Sequence, residues 1–296
     1  MKILIGCDVD PVLPRVLDRA PAWNIWNPLE KIEKLISEMQ DDLPPMIWLI
    51  RADQSIQFCT GSYSSGYSSK EAMWQQLLAN GHEMGWHVHL MSYDTGNGVF
   101  RFDPEPSWLE DAHQSVAGHF KVRATRTGWD YGSNFLLRKL DDLGVKIDFS
   151  ALPGSISWYH VGGSKLVVDW IGVSQAPYHP ARDNYKRSGP YSLNLVEIPI
   201  TQFVNSTVGV AKRIAWRFRN NCYSLSGLTS KTRLLTEDWP NFPISDQRLW
   251  AFYFHPDDLS DVGIRNFVKN LERLRGLPDA EFVTPSSLNA LEVFAD

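Results

Sequence analysis

The sequence predicts an α/β fold in which a mainly parallel β-sheet is covered by helices. Short apolar segments of strand length alternate along the chain with segments whose apolar residues follow three-and-four spacing. Several of the short segments are continuously apolar, as expected for strands that are buried on both faces of a parallel sheet. This pattern is compatible with a barrel or with an open sheet.

The 296 residues, 43% hydrophobic and 21% charged, suffice for a domain with a large core. We find neither an internal repeat nor a low-complexity linker, and the proline-containing stretch 174–189 has the composition of an inserted loop. We therefore predict a single domain that comprises residues 1–296.

Strands are predicted where apolar residues form short runs. In chain order these are Ile3–Ile5, Met46–Ile50, Glu83–His89, Val122–Thr125, Lys146–Phe149, Leu166–Trp170, Leu195–Ile198, Trp250–Phe254 and Glu281–Val283. In α/β sheets, functional residues gather at the carboxyl ends of the strands. The residues that follow these segments are therefore the first candidates for a site.

Helices are predicted between the strands from their apolar stripes. They cover Pro28–Met39, Ser69–Ala79, Asn134–Leu143, Val208–Arg219 and Val262–Leu274, and a last helix follows Pro285. Ser69 and Ser260 are predicted to be N-cap residues, because a serine hydroxyl can accept a hydrogen bond from a free backbone N–H. Gly81 and Gly144 are predicted to end the helices that precede them.

Charge and hydropathy exclude several classes of function. The chain has 29 Lys and Arg against 34 Asp and Glu, a net charge of -5, which argues against a dedicated nucleic-acid-binding protein. No apolar run reaches the roughly 18–20 residues of a transmembrane helix. The basic amphipathic segment Val208–Arg219 leaves two alternatives, an ordinary surface helix and a helix that lies on an anionic membrane.

The first residues and the cysteines indicate a cytoplasmic location. The short apolar stretch after Met1 is ended by Asp8, so a signal peptide is not expected. The chain has three cysteines, Cys7, Cys59 and Cys222, with no CxxC pair. This number is too small for a disulfide framework and is consistent with a reducing compartment.

The first predicted strand leads into two aspartates. Asp8 and Asp10 are two residues apart, so in a strand they point to the same face. Two carboxylates on one face repel each other unless a cation or a shared proton lies between them. The alternative is a pair that stabilises the turn before Pro11.

The third predicted strand carries His87 and His89 with the same spacing. Two imidazoles on one face suit a divalent metal such as zinc, provided that a carboxylate from another strand completes the site and one position stays open for water. Two packed structural histidines are the alternative.

Two further strand ends carry Arg126 and His255. An arginine can orient a carboxylate through paired hydrogen bonds, and His255 has the position of a general acid. Taken singly, Arg126 is better explained by a structural ion pair, and His255 by a loop that leads into a helix. Together with the aspartates and histidines, they predict one site built from four strand ends.

These motifs, in this order, resemble the polysaccharide deacetylase superfamily of NodB-like, carbohydrate esterase type, with this chain as a divergent member. The resemblance extends from about Lys2 to Pro285 and is carried by Asp8–Asp10, Gly81–His89, Arg126–Trp129, Ser133–Gly144 and Phe254–Asp258. It implies a distorted, incomplete (β/α) barrel of about seven parallel strands. It also implies a metal-dependent hydrolase that removes an N-acyl group, typically acetyl, from an amino sugar or glycan intermediate.

By this resemblance Asp8 is the general base, Asp10 and His87 are metal ligands, Arg126 orients the base and His255 is the general acid. The expected cofactor is a divalent metal, zinc above all. The partner is a small-molecule or glycan substrate. Trp129, Asp53, Tyr131 and His179 are the candidate substrate contacts. For Asp53 the alternative is a structural carboxylate, and for His179 it is a solvated basic loop.

The chain departs from the family at Met91, where the second histidine ligand normally lies. A thioether cannot replace an imidazole as a ligand for such an ion. One hypothesis is that His89 takes over as the ligand. Two others are a metal-independent amidohydrolase that acts on a small cyclic nitrogen compound and a catalytically silent relative that binds glycans. The last is also motivated by the twelve tryptophans, which are either core residues or sugar-stacking platforms.

Overall fold

The computed structural model describes residues 1–13, 25–201 and 248–288. In chain order its strands are β1 (Lys2–Val9), β2 (Ile47–Arg51), β3 (Glu83–Val88), β4 (Met91–Asp94), β5 (Val99–Phe102), β6 (Ala124–Thr127), β7 (Ile147–Asp148), β8 (Ile156–Val161), β9 (Ser164–Asp169), β10 (Val196–Glu197), β11 (Leu249–Phe254) and β12 (Glu281–Val283). The predicted helix Val208–Arg219 and Cys222 lie outside the described residues.

The main sheet is parallel throughout and curls into a half-barrel. Its strands follow the order β10-β7-β6-β3-β2-β1-β11, and β12 also pairs with β1. Strand β1 is central because it pairs with three other strands. The predicted fold, a distorted and incomplete (β/α) barrel, is confirmed.

The helices are α1 (Pro28–Met39), α2 (Gln54–Thr60), α3 (Ser65–Ser68), α4 (Glu71–Ala79), α5 (Leu109–Ala117), α6 (Asn134–Asp142) and α7 (Asp261–Arg275). Ser260 caps α7 as predicted, since its side chain accepts a hydrogen bond from the Gly263 N–H. The predicted cap at Ser69 is wrong, because its hydroxyl donates to the Ser65 carbonyl and α4 begins only at Glu71. None of the helices within the described ranges is long and apolar enough to cross a membrane.

Two antiparallel hairpins, β4–β5 and β8–β9, lie outside the main sheet. The segment Leu166–Trp170 was expected in the parallel sheet, but most of it belongs to β9, which pairs with β8 through a tight Gly162-Gly163 turn. The strands of these hairpins are partly exposed, and in β8 and β9 buried residues are interspersed with exposed ones, so the continuously apolar signal of the central strands is lost. The chain after Pro285 forms a single 3-10 turn up to Ser287.

The alternation of side chains along β1 separates the two faces of the sheet. Ile3, Ile5 and Cys7 pack into the cluster that includes α1 and α7, whereas Leu4 packs with the residues inside the curl. Asp8 has the parity of Leu4 and therefore points to the inner face. Most of the described tryptophans are core residues, as the simpler interpretation predicts; the buried ones are Trp26, Trp48, Trp74, Trp86, Trp108, Trp170 and Trp250.

Candidate active site

Four strands of the main sheet, β1, β3, β6 and β11, bring the predicted residues together at their carboxyl ends. Their register aligns His87 of β3 with Arg126 of β6, and Cys7 of β1 with Phe254 of β11. Asp8 follows Cys7, and His255 follows Phe254. Since the strands are parallel, all of these residues reach the same edge of the half-barrel.

Asp10, His87 and His89 form a compact group of possible metal ligands. The Nε2 atoms of His87 and His89 lie 3.0 Å apart. The Asp10 Oδ1 atom lies 3.7 Å from His87 Nε2 and 3.5 Å from His89 Nε2. Met91 lies in the β4–β5 hairpin opposite Phe102 and does not belong to the group. His89 is thus the third possible metal ligand.

The hydrogen bonds of the two imidazoles favour a cation between them. The His87 Nδ1 atom lies 2.8 Å from the Arg126 carbonyl oxygen, so it donates its hydrogen and leaves a lone pair on Nε2. Burial lowers the pKa of His87 to about 4 and also lowers that of His89, so both rings are neutral at pH 7. Within the described part of the chain, His89 Nδ1 is buried without a hydrogen-bond partner.

The spacing of the three atoms fits zinc. The measured separations leave a point about 2.0 Å from all three atoms, the usual Zn–N and Zn–O bond length. Burial alone would raise the pKa of Asp10, but the charges that His87 and His89 acquire in acid, together with that of Arg51, hold it well below its usual range, so the carboxylate is ionised at pH 7. Two neutral imidazoles and one carboxylate therefore fit a zinc-type ion that retains an open position.

Arg126 holds Asp8 from the neighbouring side. Its Nη1 donates to Asp8 Oδ2 and its Nη2 donates to Asp130, while the Tyr253 ring lies 3.5 Å from the guanidinium carbon. The nearby carboxylates raise the pKa of Arg126 although burial opposes this, so the cation persists. Asp8 Oδ1 is buried and has no hydrogen-bond partner within the described ranges, so this oxygen keeps its capacity to accept a hydrogen bond.

The segment after Arg126 has a strained backbone. Trp129 and Asp130 adopt left-handed conformations with φ of 58° and 56°, which cost on the order of 1–3 kcal/mol each for non-glycine residues. The Trp170 indole holds this turn by donating to the Asp130 carbonyl at 2.7 Å, and Tyr159 donates to the Asp130 carboxylate at 3.3 Å. The strain is thereby placed directly beside the candidate site.

His255 is the most exposed of the six predicted site residues, with its side chain 39% exposed. Its Nε2 atom is 3.6 Å from Asp8 Oδ2 and 3.9 Å from Asp10 Oδ2. Burial lowers the pKa of His255, but the carboxylates of Asp258, Asp8 and Asp10 outweigh this and raise it to about 9. The imidazole therefore carries a proton at neutral pH in this structure.

The four predicted substrate contacts have different surroundings. The ring of Trp129 is partly buried and packs 4.5 Å from that of His89, and Tyr131 packs on Phe102 nearby. Asp53 is fully buried and caps helix α2, so it offers no surface to a substrate. His179 donates from Nδ1 to the carbonyl oxygens of residues 193 and 195 at 3.0 and 3.1 Å, which ties it to the loop before β10.

Comparisons with known proteins give a match by structure alone. No family model and no curated protein matches the sequence. The chain is similar to a protein of Parabacteroides distasonis assigned as a glycoside hydrolase/deacetylase, with a TM-score of 0.54 and 12% identity, over 97% of this chain and 70% of that one. It is also similar to a Pseudomonas aeruginosa PAO1 protein assigned as a polysaccharide deacetylase, with a TM-score of 0.50 and 9% identity, over 97% and 88% of the chains. The chain has the polysaccharide deacetylase fold.

In this deacetylase fold, three residues that the sequence prediction did not include support the site. Arg51 bonds to Asp10, Asp130 bonds to Arg126, and Tyr253 lies under the Arg126 guanidinium. Arg51 and Asp130 had a signal in the sequence, since each is a charged residue at the end of a predicted strand. Tyr253 had none, because an aromatic residue in an apolar strand is expected in the core.

Proposed function

We propose that the protein is a metal-dependent hydrolase that removes an N-acyl group, typically acetyl, from an amino sugar or glycan intermediate. The observation that carries the proposal is the convergence of two carboxylates, two imidazoles, an arginine and a third histidine at one edge of the half-barrel. The deacetylase fold and the order of the motifs support the same chemistry. Packing alone does not account for so many polar groups in one place.

Asp10, His87 and His89 would hold the divalent ion, for which zinc fits best. When bound, such an ion polarises an amide carbonyl and lowers the pKa of water towards neutrality. In the described part of the chain, these three residues are the group with suitable ligand spacing. The proposal assigns no ligand role to Met91.

Asp8 would act as the general base through Oδ1. Arg126 fixes the opposite oxygen, so the unpartnered oxygen is oriented. It would accept the proton of the water that attacks the amide carbon. His255, whose Nε2 atom lies 3.6 Å from Asp8 Oδ2, would donate a proton to the leaving amine nitrogen.

The test is acetate release from a panel of N-acetylated amino sugars and oligosaccharides. Asp8→Asn and His255→Ala should each lower kcat by about 10²–10⁴-fold, the usual contribution of a general acid or base. Asp257→Asn is the matched control, because this exposed carboxylate lies beside His255 and pairs with Lys31. Unchanged turnover in both site variants would refute the assigned roles.

Metal content separates this function from its alternatives. The wild type should contain about one zinc-type ion per chain, and His89→Ala should lose it. Turnover by protein shown to be metal-free would favour the metal-independent amidohydrolase that Met91 suggests. Glycan binding without turnover, retained in Asp8→Asn, would favour a silent binding protein.

A further inference from the structure

Arg51 is a buried cation that contacts Asp10, one of the candidate metal ligands. It is the last residue of β2 and is aligned with His87 of β3. Its side chain is only 7% exposed, and its Nη1 atom donates to Asp10 Oδ1 at 3.1 Å. This is the same oxygen that faces His87 and His89, so Arg51 acts directly on the ligand atom.

Two groups besides Asp10 hold Arg51 in this orientation. Its Nε donates to Asp53 Oδ2 at 2.7 Å and its Nη2 donates to the Ser55 hydroxyl at 3.2 Å. The Asp53 carboxylate is itself fixed, because its Oδ1 accepts the Ser55 and Ile56 backbone N–H groups at 2.8 and 3.2 Å. The N-terminus of helix α2 therefore sets the position of the guanidinium.

The charge of Arg51 requires such a partner. An uncompensated arginine a few ångströms from a divalent ion would repel it, since charges interact strongly where water is excluded. Asp53 is fully buried and lies on the far side of Arg51 from Asp10. The pair is neutral as a unit, so Arg51 can orient Asp10 without adding net positive charge.

We propose that Arg51 is the positioning residue for the metal ligand Asp10, and that Asp53 is its counter-ion and anchor instead of a substrate contact. The inference rests on the proposed metal site and goes beyond it. It assigns a function to two consecutive ion pairs, Asp53 with Arg51 and Arg51 with Asp10, which connect the start of helix α2 to the ligand oxygen. Partners behind the ligands commonly change metal affinity by about 10–100-fold.

The test is the zinc dissociation constant, measured by competition with a chelator, of full-length wild type and two variants. Asp53→Asn keeps the helix cap, because asparagine is also a good N-cap residue, and removes the counter-charge. Arg51→Lys keeps the charge but cannot bridge three partners at once. Both should bind zinc about 10–100-fold more weakly than wild type.

Asp94→Asn is the matched control. Asp94 also pairs with an arginine, Arg101 at 2.8 Å, and accepts a backbone N–H from Gly96 at 3.0 Å, but it lies in the β4–β5 hairpin. The same loss of charge there should leave zinc affinity unchanged. Thermal unfolding of the metal-free proteins is measured in parallel, because a purely structural role would lower only stability.

The outcomes separate the two proposals. Zinc affinity at the wild-type level in both folded variants, with or without a loss of stability, would overturn the role of Arg51 and leave the metal site intact. A wild type that takes up no zinc would overturn the metal site and, with it, this inference. Weaker binding in Asp53→Asn and Arg51→Lys, but not in Asp94→Asn, would support it.

Discussion

Gly128 determines where His89 can lie. A Cβ atom at position 128 would overlap with the His89 ring. The Trp129 ring covers the same imidazole at 4.5 Å. The absence of one side chain thus allows the histidine to turn towards Asp10 and His87.

Gly128→Ala should therefore displace His89 and weaken zinc binding about tenfold or more, as loss of ligand geometry does. The overpacking should also lower the free energy of unfolding by about 1–3 kcal/mol. Chelator competition and urea unfolding measure the two effects. Gly276→Ala is the control, since its Cβ would meet its nearest neighbour at an ordinary 3.5 Å. Unchanged zinc affinity in Gly128→Ala would show that His89 is not a ligand or that the ring can move without loss.

The arrangement of the six principal site residues could be predicted because each lies at the carboxyl end of a buried strand or directly after it. Period-two alternation places Asp8 and Asp10, and likewise His87 and His89, on shared faces, and parallel pairing brings the strand ends together. The environment of Asp53 could not be predicted in this way. Its burial depends on helix α2, whose seven residues carry too weak an apolar pattern to be recognised.

The pairing of β7 with β10 brings two carboxylic acids together inside the fold. Asp148 and Glu197 are aligned in register, and both are fully buried. Glu197 accepts the Ala151 N–H at 2.8 Å, and Asp148 accepts the Thr125 hydroxyl at 2.7 Å. Burial, and then the charge of Asp148, raise the pKa of Glu197 well above its ordinary value. The pair is thus most stable when Glu197 carries a proton.

The free energy of unfolding should consequently depend on pH through Glu197. A carboxyl whose folded-state pKa is raised stabilises the fold fully below its unfolded pKa. The stabilisation is lost as the pH rises, by about 1.4 kcal/mol per pH unit until the folded pKa is passed. Glu197→Gln cannot ionise, so its stability should fall less than that of wild type between pH 5 and pH 8.

Urea unfolding at several pH values measures this difference. Glu105→Gln is the control, because Glu105 is exposed in the loop before α5 and its variant should follow the wild type. Parallel pH profiles for Glu197→Gln and wild type would contradict the protonation of Glu197 in the folded state. The proposed catalytic site is not altered by either substitution, so activity serves as a check that the fold is retained.

The two hairpins show where a strand pattern is insufficient. Tyr159 of β8 reaches Asp130 from outside the parallel sheet, and Met91 begins β4. Both hairpins have partly exposed strands, and the segments that became β4, β5 and β8 carried no clear signal. Strands that cover a site are half-solvated, so their composition resembles that of loops.

In the molecule as a whole, the proposed ligands belong to separate parts of the chain. Asp10 follows β1, whereas His87 and His89 lie at the end of β3, and β2 separates these two strands in the sheet. An ion bound by all three would join them across β2. Because the unfolded chain does not hold the three side chains together, binding should stabilise the folded state selectively.

Zinc at 100 times its dissociation constant should therefore raise the free energy of unfolding by about 2.7 kcal/mol. The measurement is urea unfolding of metal-free protein with and without zinc. His89→Ala removes one corner of the site and should abolish the increase, whereas His160→Ala, an exposed histidine on the β8–β9 hairpin, should retain it. If zinc stabilises His89→Ala as much as wild type, the ion binds elsewhere and the ligand assignment is wrong. If it stabilises only the proteins that retain His89, the strand ends that the sequence identified act together as one metal site.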